Sequence, residues 1–163
     1  MVILPMELII GLGNPGSSYV NTRHNTGSLV VDELQKVKLP KGVVLRKSGV
    51  FMNDSGVFVK KLVNQYKVDL SDLYVIHDDL DIKLGEYKIQ LGHSPKDHNG
   101  IKSVDMELGS DQYWHVKIGI DNRPLDGRPM GIEYVLQNFS DEEREVLDSV
   151  VKEACHKLIN NLQ

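Results

Sequence analysis

Three histidine-bearing segments carry the side chains most able to do chemistry in this sequence. They read Thr22-Arg-His-Asn-Thr-Gly27, His77-Asp-Asp-Leu-Asp81 and His98-Asn-Gly100. Histidine moves protons near neutral pH, and it usually needs a carboxylate on its other ring nitrogen to orient it. His24 is therefore a candidate base, and the acidic residues after Ile76 are its candidate partners. A lone histidine ahead of a helix is otherwise more often a surface or capping residue.

Three asparagines, Asn14, Asn53 and Asn99, lie at junctions between loops and regular elements. Each has a structural explanation, because Asn14 sits in a turn and the other two precede or begin helices, where asparagine caps well. An amide side chain also donates and accepts hydrogen bonds at once. Three of them grouped around a histidine and a carboxylate would form a polar binding site.

Two other kinds of site compete with this interpretation. The run Gly11-Leu-Gly-Asn-Pro-Gly16 matches G-x-G-x-x-G, but that motif binds a dinucleotide only when its last glycine opens a helix. The next helix is expected only near residue 26, so a nucleotide-dependent oxidoreductase is disfavoured, and a turn that serves structure or presents Asn14 remains. The acidic segment could supply the carboxylate partner of His24, form a solvated turn or bind a metal. Without H-E-x-x-H or paired cysteines, metal binding is the least favoured of these three interpretations.

The hydrophobic pattern predicts strands that alternate with helices. The predicted strands are Glu7–Gly11, Gly42–Arg46, Leu73–Ile76, Glu86–Leu91 and Tyr113–Ile120; the helices begin near Thr26 as N-cap, at Asp54 or Ser55, at Asn99, and at a capping box over Ser140–Glu143. This order predicts an α/β single-domain sandwich, with a central mixed, largely parallel sheet flanked by helices. Functional residues of such sheets collect beyond the strand ends. The polar segments after Ile10, Ile76 and Leu91 are therefore expected to form one site.

Composition limits the class of protein. The 163 residues fit one domain, 1–163, in which residues 1–5 are a possible extension ahead of Met6. The net charge of −4 argues against a protein whose main task is nonspecific binding of nucleic acid. The single Cys155 excludes an internal disulfide, which fits a reducing cytoplasm. No apolar run is long enough to span a membrane.

Taken in order, the motifs resemble the bacterial-type peptidyl-tRNA hydrolase family. The resemblance rests on GLGNPG with Tyr19, TRHNTG, FMNDSG, HDDLD, HNGIKS and HVKIGI, and it extends from about Met6 to the last helix. It implies hydrolysis of the ester that joins a peptide to tRNA, without metal or cofactor, by a cytoplasmic monomer. The alternative is a non-catalytic RNA-binding relative of the same fold, which would have no need of the whole set of polar residues.

The resemblance also implies a role for each matching residue. His24 would be the base that activates water, Asp78 would orient its ring, and Asn14 would bind near the reacting ester. Tyr19 and Met52 would line the channel, and Asn53 and Asn99 would bind the peptide backbone. Lys117 and Lys102 would contact tRNA phosphates.

The sequence departs from the family pattern in three places. The stretch between His24 and Asn53 is shorter than usual, which predicts a shortened sheet edge. The loop before His98 carries Pro95 where the family has glycines, and proline restricts the backbone. Gln90 stands where a second phosphate-binding basic residue is usual.

Overall fold

The computed structural model describes residues 6–162, which form five strands and five α-helices. In chain order these are β1 (Glu7–Gly11), α1 (Thr26–Leu34), β2 (Val43–Lys47), α2 (Ser55–Tyr66), β3 (Leu73–Lys83), β4 (Tyr87–Leu91), α3 (Asn99–Leu108), β5 (Trp114–Asp121), α4 (Gly131–Val135) and α5 (Asp141–Asn161). The possible extension over residues 1–5 lies outside the described residues.

The strands form one sheet in the order β2-β1-β3-β5-β4. The first four are parallel to their neighbours, and β4 alone runs antiparallel, on β5. Parallel strands are covered on both faces, which explains why β1 is buried along its whole length. The predicted mixed, largely parallel sheet is confirmed. β2 forms one edge, with β1 as its neighbour.

Alternate side chains of the strands face two separate helical layers. On one face Ile9 and Ile76 pack with α1 and α5, and on the other Leu8, Ile10 and Val75 pack with α2 and α3. This two-residue alternation is the normal geometry of a strand. The sheet is therefore the middle of three layers, and its strand ends are left to carry polar residues.

The segment His77–Asp81 lies inside a strand, so the prediction that β3 ends at Ile76 was wrong. β3 runs to Lys83 because its backbone stays paired with β5, with Asp78 opposite Ile118 and Asp79 opposite Gly119. Strands are usually predicted from runs of apolar residues, so the polar side chains of this segment did not indicate that its backbone is extended. The consequence for function is that Asp78 is held by a central strand rather than by a loop.

Helix starts also differ from the sequence prediction. Asn25, not Thr26, is the N-cap of α1, and His98, not Asn99, is the N-cap of α3, because His98 accepts the Ile101 N–H. The capping box of Ser140 and Glu143 at the start of α5 is confirmed. Helix α4, which has only five residues, was not predicted from the sequence. None of the described helices is long and apolar enough to cross a membrane.

The glycine run after β1 serves close packing. A Cβ on Gly11 would lie 2.2 Å from the Gly27 carbonyl oxygen, and one on Gly13 would lie 2.3 Å from Ser28 Oγ. Gly16 has φ 99°, a conformation that favours glycine. Helix α1 begins only at Thr26, after 3₁₀ turns at Ser17–Tyr19 and Arg23–Asn25. The run therefore lets the first turn of α1 lie against the end of β1 and the turn that follows it, and it does not open a nucleotide-binding helix.

Candidate active site

A cleft of about 680 Å³ opens at the end of the sheet where β1 and β3 carry their polar residues. It brings together segments far apart in the sequence. Its lining includes most of the site residues predicted from the sequence, together with His98, namely Asn14, His24, Met52, Asn53, Asp78, His98, Asn99 and Lys102. Apolar side chains from and around α4, among them Met130 and Ile132, form another part of its wall.

The centre of the cleft is a carboxylate between two imidazoles. Asp78 Oδ2 lies 2.9 Å and Oδ1 3.0 Å from His24 Nδ1, and Oδ1 also lies 2.9 Å from His98 Nε2. The exposed fraction of Asp78 is 2%, and His24 and His98 are also buried. The predicted contact between His24 and Asp78 is present in the structure, with His98 as an additional partner.

Hydrogen-bond chemistry fixes the protons in this group. Since a carboxylate only accepts, His24 carries a proton on Nδ1 and its Nε2 is left as the basic nitrogen of the neutral ring. His98 Nδ1 faces the backbone N–H of Ile101 at 3.1 Å and must accept it. The proton of neutral His98 is therefore on Nε2, from which it is donated to Asp78.

The pKa values of the pair are shifted in the directions that favour an ion pair. Burial alone would raise the pKa of Asp78, but the facing His24 and His98 outweigh it and hold that pKa well below its usual range. Burial would likewise lower the pKa of His24, yet the charge and hydrogen bond of Asp78 raise it above 6.5. His24 is therefore a stronger base than an exposed histidine.

Asn14 is held by two neighbouring segments. Its backbone N–H donates to Asn25 Oδ1 at 2.9 Å, and its carbonyl accepts from Asn25 Nδ2 at 2.9 Å. Its side-chain Oδ1 accepts the Met52 N–H at 3.0 Å, so this oxygen cannot be exchanged with the amide nitrogen. The Nδ2 group of Asn14 makes no hydrogen bond to another of residues 6–162. It is a fixed donor in the wall of the cleft.

The remaining predicted substrate contacts occupy different positions. Met52 is buried in the wall, and Asn53 and Asn99 are exposed at the cleft. Tyr19 is not among the lining residues, but its ring makes an edge contact with the lining residue Phe51, with the ring centres 6.4 Å apart. A role for Tyr19 at the cleft therefore runs through Phe51.

The two lysines predicted to contact phosphate differ in accessibility. Lys102 is exposed on α3 and lines the cleft. Lys117 is only 7% exposed, and its ammonium group donates to the carbonyl of His93 in the loop that carries Pro95. Burial lowers the pKa of Lys117, and Asp79 partly offsets that shift. Contact between Lys117 and a phosphate would require the His93 loop to move.

His24, Asp78 and His98 also stand close enough to hold a metal ion, with ligand atoms within 4.8 Å of one another. The proton pattern does not fit that use. A histidine that ligates through Nε2 normally carries its proton on Nδ1, and here Nδ1 of His98 already accepts the Ile101 N–H. The geometry fits a hydrogen-bonded carboxylate better than a metal centre.

Sequence reasoning missed three residues that support the site. His98 was noted only as part of a motif, and Asn25 only as the neighbour of His24. Buried Arg23 pairs with Glu143 at 2.8 Å and lies over the Tyr134 ring, which ties the His24 turn to α5 and α4. All three flank a predicted site residue in sequence, and that adjacency was the available signal.

Comparisons with known proteins agree with this geometry. The family model described as peptidyl-tRNA hydrolase matches residues 8–163. A peptidyl-tRNA hydrolase of Limosilactobacillus reuteri is 40% identical over 172 residues, covering 94% of this chain and 91% of the relative. A crystal structure of peptidyl-tRNA hydrolase with N-propanol matches with TM-score 0.79 and 26% identity, over 93% of this chain and 86% of that one. The Acinetobacter baumannii peptidyl-tRNA hydrolase matches with TM-score 0.77 and 26% identity, over 94% and 88%.

Proposed function

The chain belongs to the peptidyl-tRNA hydrolase family, and we propose that His24 is the base that activates water in its reaction. It is an enzyme that hydrolyses the ester between peptide and tRNA, and the non-catalytic RNA-binding alternative is not favoured. The observation that carries the assignment of His24 is its Nδ1 contact with buried Asp78, at 2.9 Å. This contact occupies Nδ1 and leaves Nε2 as the basic nitrogen of a ring that lines the cleft.

The proposed reaction needs one base and one oxyanion donor. His24 Nε2 takes a proton from water as the water oxygen attacks the ester carbonyl carbon, and Asp78 stabilises the resulting imidazolium. The carbonyl oxygen becomes an oxyanion, for which Asn14 Nδ2 is the available donor. As the intermediate collapses, the C–O bond to the ribose breaks and the imidazolium returns its proton to the ribose oxygen. The products are tRNA and a free peptide carboxylic acid, which releases its remaining proton to solvent and becomes a carboxylate.

The exposed amides suit a substrate whose peptide sequence varies. Asn53 and Asn99 can donate to peptide carbonyls and accept from peptide N–H groups without reading side chains. Met52 connects two parts of the site, because its Sδ lies close to Gly100, next to Asn99, and its N–H donates to Asn14 Oδ1. Lys102 is placed to attract the phosphates of the tRNA end.

The substrate and the cleft also support a proposal about location and assembly. Peptidyl-tRNA arises in translation, which supports a cytoplasmic enzyme. His24, Asp78 and the proposed substrate-binding asparagines all come from one chain, so the proposed reaction needs no residue of a second copy, and we propose a monomer as the active form.

The deciding experiment incubates the purified protein with an N-acetylated aminoacyl-tRNA and measures release of the N-acetylated amino acid. We expect release by the natural protein, with and without EDTA, and a loss of about 10³-fold or more in His24→Ala. Circular dichroism should show that the variant is folded. Absence of release by the natural protein would overturn the function, and an unchanged rate in His24→Ala would overturn the role of His24. Loss of release with EDTA would point to a metal.

A further inference from the structure

His98 links the start of helix α3 to the catalytic carboxylate. We propose that His98 is a positioning residue for the hydrolysis, which holds the Asp78 carboxylate in the orientation that His24 requires. The proposal rests on the proposed function of His24 and Asp78. It assigns to one buried side chain two tasks that are normally separate, capping a helix and orienting a catalytic group.

The direction of the hydrogen bond follows from the cap. The Ile101 N–H is a donor only, so His98 Nδ1 accepts it at 3.1 Å, and the ring proton stays on Nε2. Nε2 then donates to Asp78 Oδ1 at 2.9 Å. A change to the other tautomer would break both bonds at once. The helix start therefore fixes His98 as a donor to Asp78.

Asp78 needs a second donor because water has little access to it. Its exposed fraction is 2%, and a buried carboxylate oxygen that loses its partner is costly. Nδ1 of His24 contacts both carboxylate oxygens, at 3.0 and 2.9 Å. By itself this contact restrains rotation of the carboxylate about the Cβ–Cγ bond only weakly. The bond from His98 comes from a separate element and restrains that rotation.

The same residue connects catalysis with substrate binding. His98 is directly followed by Asn99, which is the first residue of α3 and lies at the cleft. A Cβ on Gly100 would lie 3.0 Å from His98 Cε1 and 2.8 Å from Met52 Sδ, so the first turn of α3 packs closely on the ring. The position of Asn99 and the orientation of Asp78 are therefore set by one side chain.

The titratable groups around His98 are few. The centre of the His98 ring lies 4.7 Å from the centre of the His24 ring, which belongs to the 3₁₀ turn before α1. It lies 5.3 Å from the centre of the His77 ring, which is next to Asp78 in β3. Burial, together with His98 and His115, holds the pKa of His77 well below its usual range, so His77 stays neutral. Changes in the pH profile on altering His98 will therefore report on His24 and Asp78.

Two substitutions separate the two tasks. His98→Asn keeps a good N-cap acceptor, but its side chain ends one bond short of the position of Nε2 and cannot reach Asp78. His98→Gln places an amide N–H near that position, but glutamine is a poor N-cap. The first variant removes the positioning bond, and the second removes the cap.

The measurements are kcat, KM, the pH dependence of kcat and the melting temperature, with N-acetylated aminoacyl-tRNA as substrate. In His98→Asn we expect kcat to fall roughly tenfold, with KM changed about twofold at most. The acidic limb should move to higher pH, because a carboxylate with one donor fewer stabilises the His24 imidazolium more. His98→Gln should lower the melting temperature more than His98→Asn does, while retaining more of kcat.

Wild-type kcat and an unshifted acidic limb in folded His98→Asn would overturn the proposal, because a purely structural role predicts that result. A second measurement does not depend on enzymatic activity. Nitrogen-15 NMR of the histidine rings in the natural protein at pH 7 should show His98 protonated on Nε2 and not on Nδ1. Protonation on Nδ1 would overturn the proposal even if His98→Asn fails to fold. If the natural protein releases no product, the proposed function fails, whereas the NMR result still decides the hydrogen bond.

Discussion

The cleft has two walls that are built in opposite ways. The catalytic wall, formed by His24, Asp78 and His98, is buried, and its polar atoms bond one another. The open wall, formed by Met130 and Ile132 near the start of α4, exposes apolar side chains, with exposed fractions of 68% and 64%. One wall fixes a few atoms, and the other offers an adaptable apolar surface.

The difference separates two demands of the reaction. Proton transfer needs one geometry, and preorganised charges act strongly where water is excluded. If the open wall contacts the peptide, it needs only to accept apolar groups, because peptides of many sequences must bind there. Substitutions in the catalytic wall should therefore change kcat, and substitutions in the open wall should change KM.

The largest effect among the supporting residues is expected for Asp78→Asn. The amide cannot stabilise the His24 imidazolium, and it also presents an N–H toward rings that need an acceptor, so kcat should fall about 10²-fold or more. Asp81→Asn is the matched control, since Asp81 is an exposed carboxylate in the same strand that also lines the cleft. Equal losses in the two variants would remove the distinction between a buried and an exposed carboxylate.

The next effect is expected for Asn14→Ala, which removes the proposed oxyanion donor. We expect kcat to fall roughly 10- to 100-fold with a smaller change in KM, because the donor acts most strongly on the developing charge. Asn64→Ala, at an exposed position on α2, is the control. A change confined to KM would mean that Asn14 binds the substrate without stabilising the transition state.

A smaller effect is expected in the open wall. Ile132→Ser should raise KM about two- to fivefold for a substrate with an apolar peptide and leave kcat nearly unchanged, since it removes apolar contact area. Leu125→Ser is the control, because Leu125 is 91% exposed and does not line the cleft. A fall in kcat with constant KM would show that the open wall affects the chemical step and not substrate binding.

The smallest effect is expected for Lys102→Ala at physiological salt. If Lys102 contacts a tRNA phosphate, the variant should weaken tRNA binding a few fold and reduce the slope of log affinity against log salt by about one. Lys60→Ala, at an exposed position on α2, is the control. An unchanged slope would assign the phosphate contact to other residues.

The sequence was informative about the catalytic wall and less so about its supports. Motif order was enough to pair His24 with Asp78, because both residues are part of the family pattern. The hydrogen bond of His98 could not be predicted, since it depends on which residue caps α3, and Asn99 is the better cap by propensity. The inclusion of Asp78 in β3 was missed for a related reason. Backbone pairing with β5 extends the strand through residues whose polar side chains do not predict a strand.

The open wall was hardest to predict. Helix α4 is five residues long, too short to show a helical period, and Met130 and Ile132 are exposed, so nothing in the pattern marks them as part of a site. The accessibility of Lys117 was equally hidden, because it depends on where the loop carrying His93 and Pro95 folds. Sequence patterns report local structure and burial, whereas these features depend on contacts between distant segments.

The central claim is that Asp78 makes His24 the base, and the pH dependence of kcat/KM tests it most directly. The base must be neutral, so activity is lost as the pH falls through the pKa of His24. The rate of N-acetylated aminoacyl-tRNA cleavage, corrected for spontaneous hydrolysis, should show an acidic limb with its midpoint above 6.5, the usual value for histidine. In Asp78→Asn the midpoint should drop, because burial then acts on His24 without the opposing charge. The same midpoint in both proteins would contradict the account.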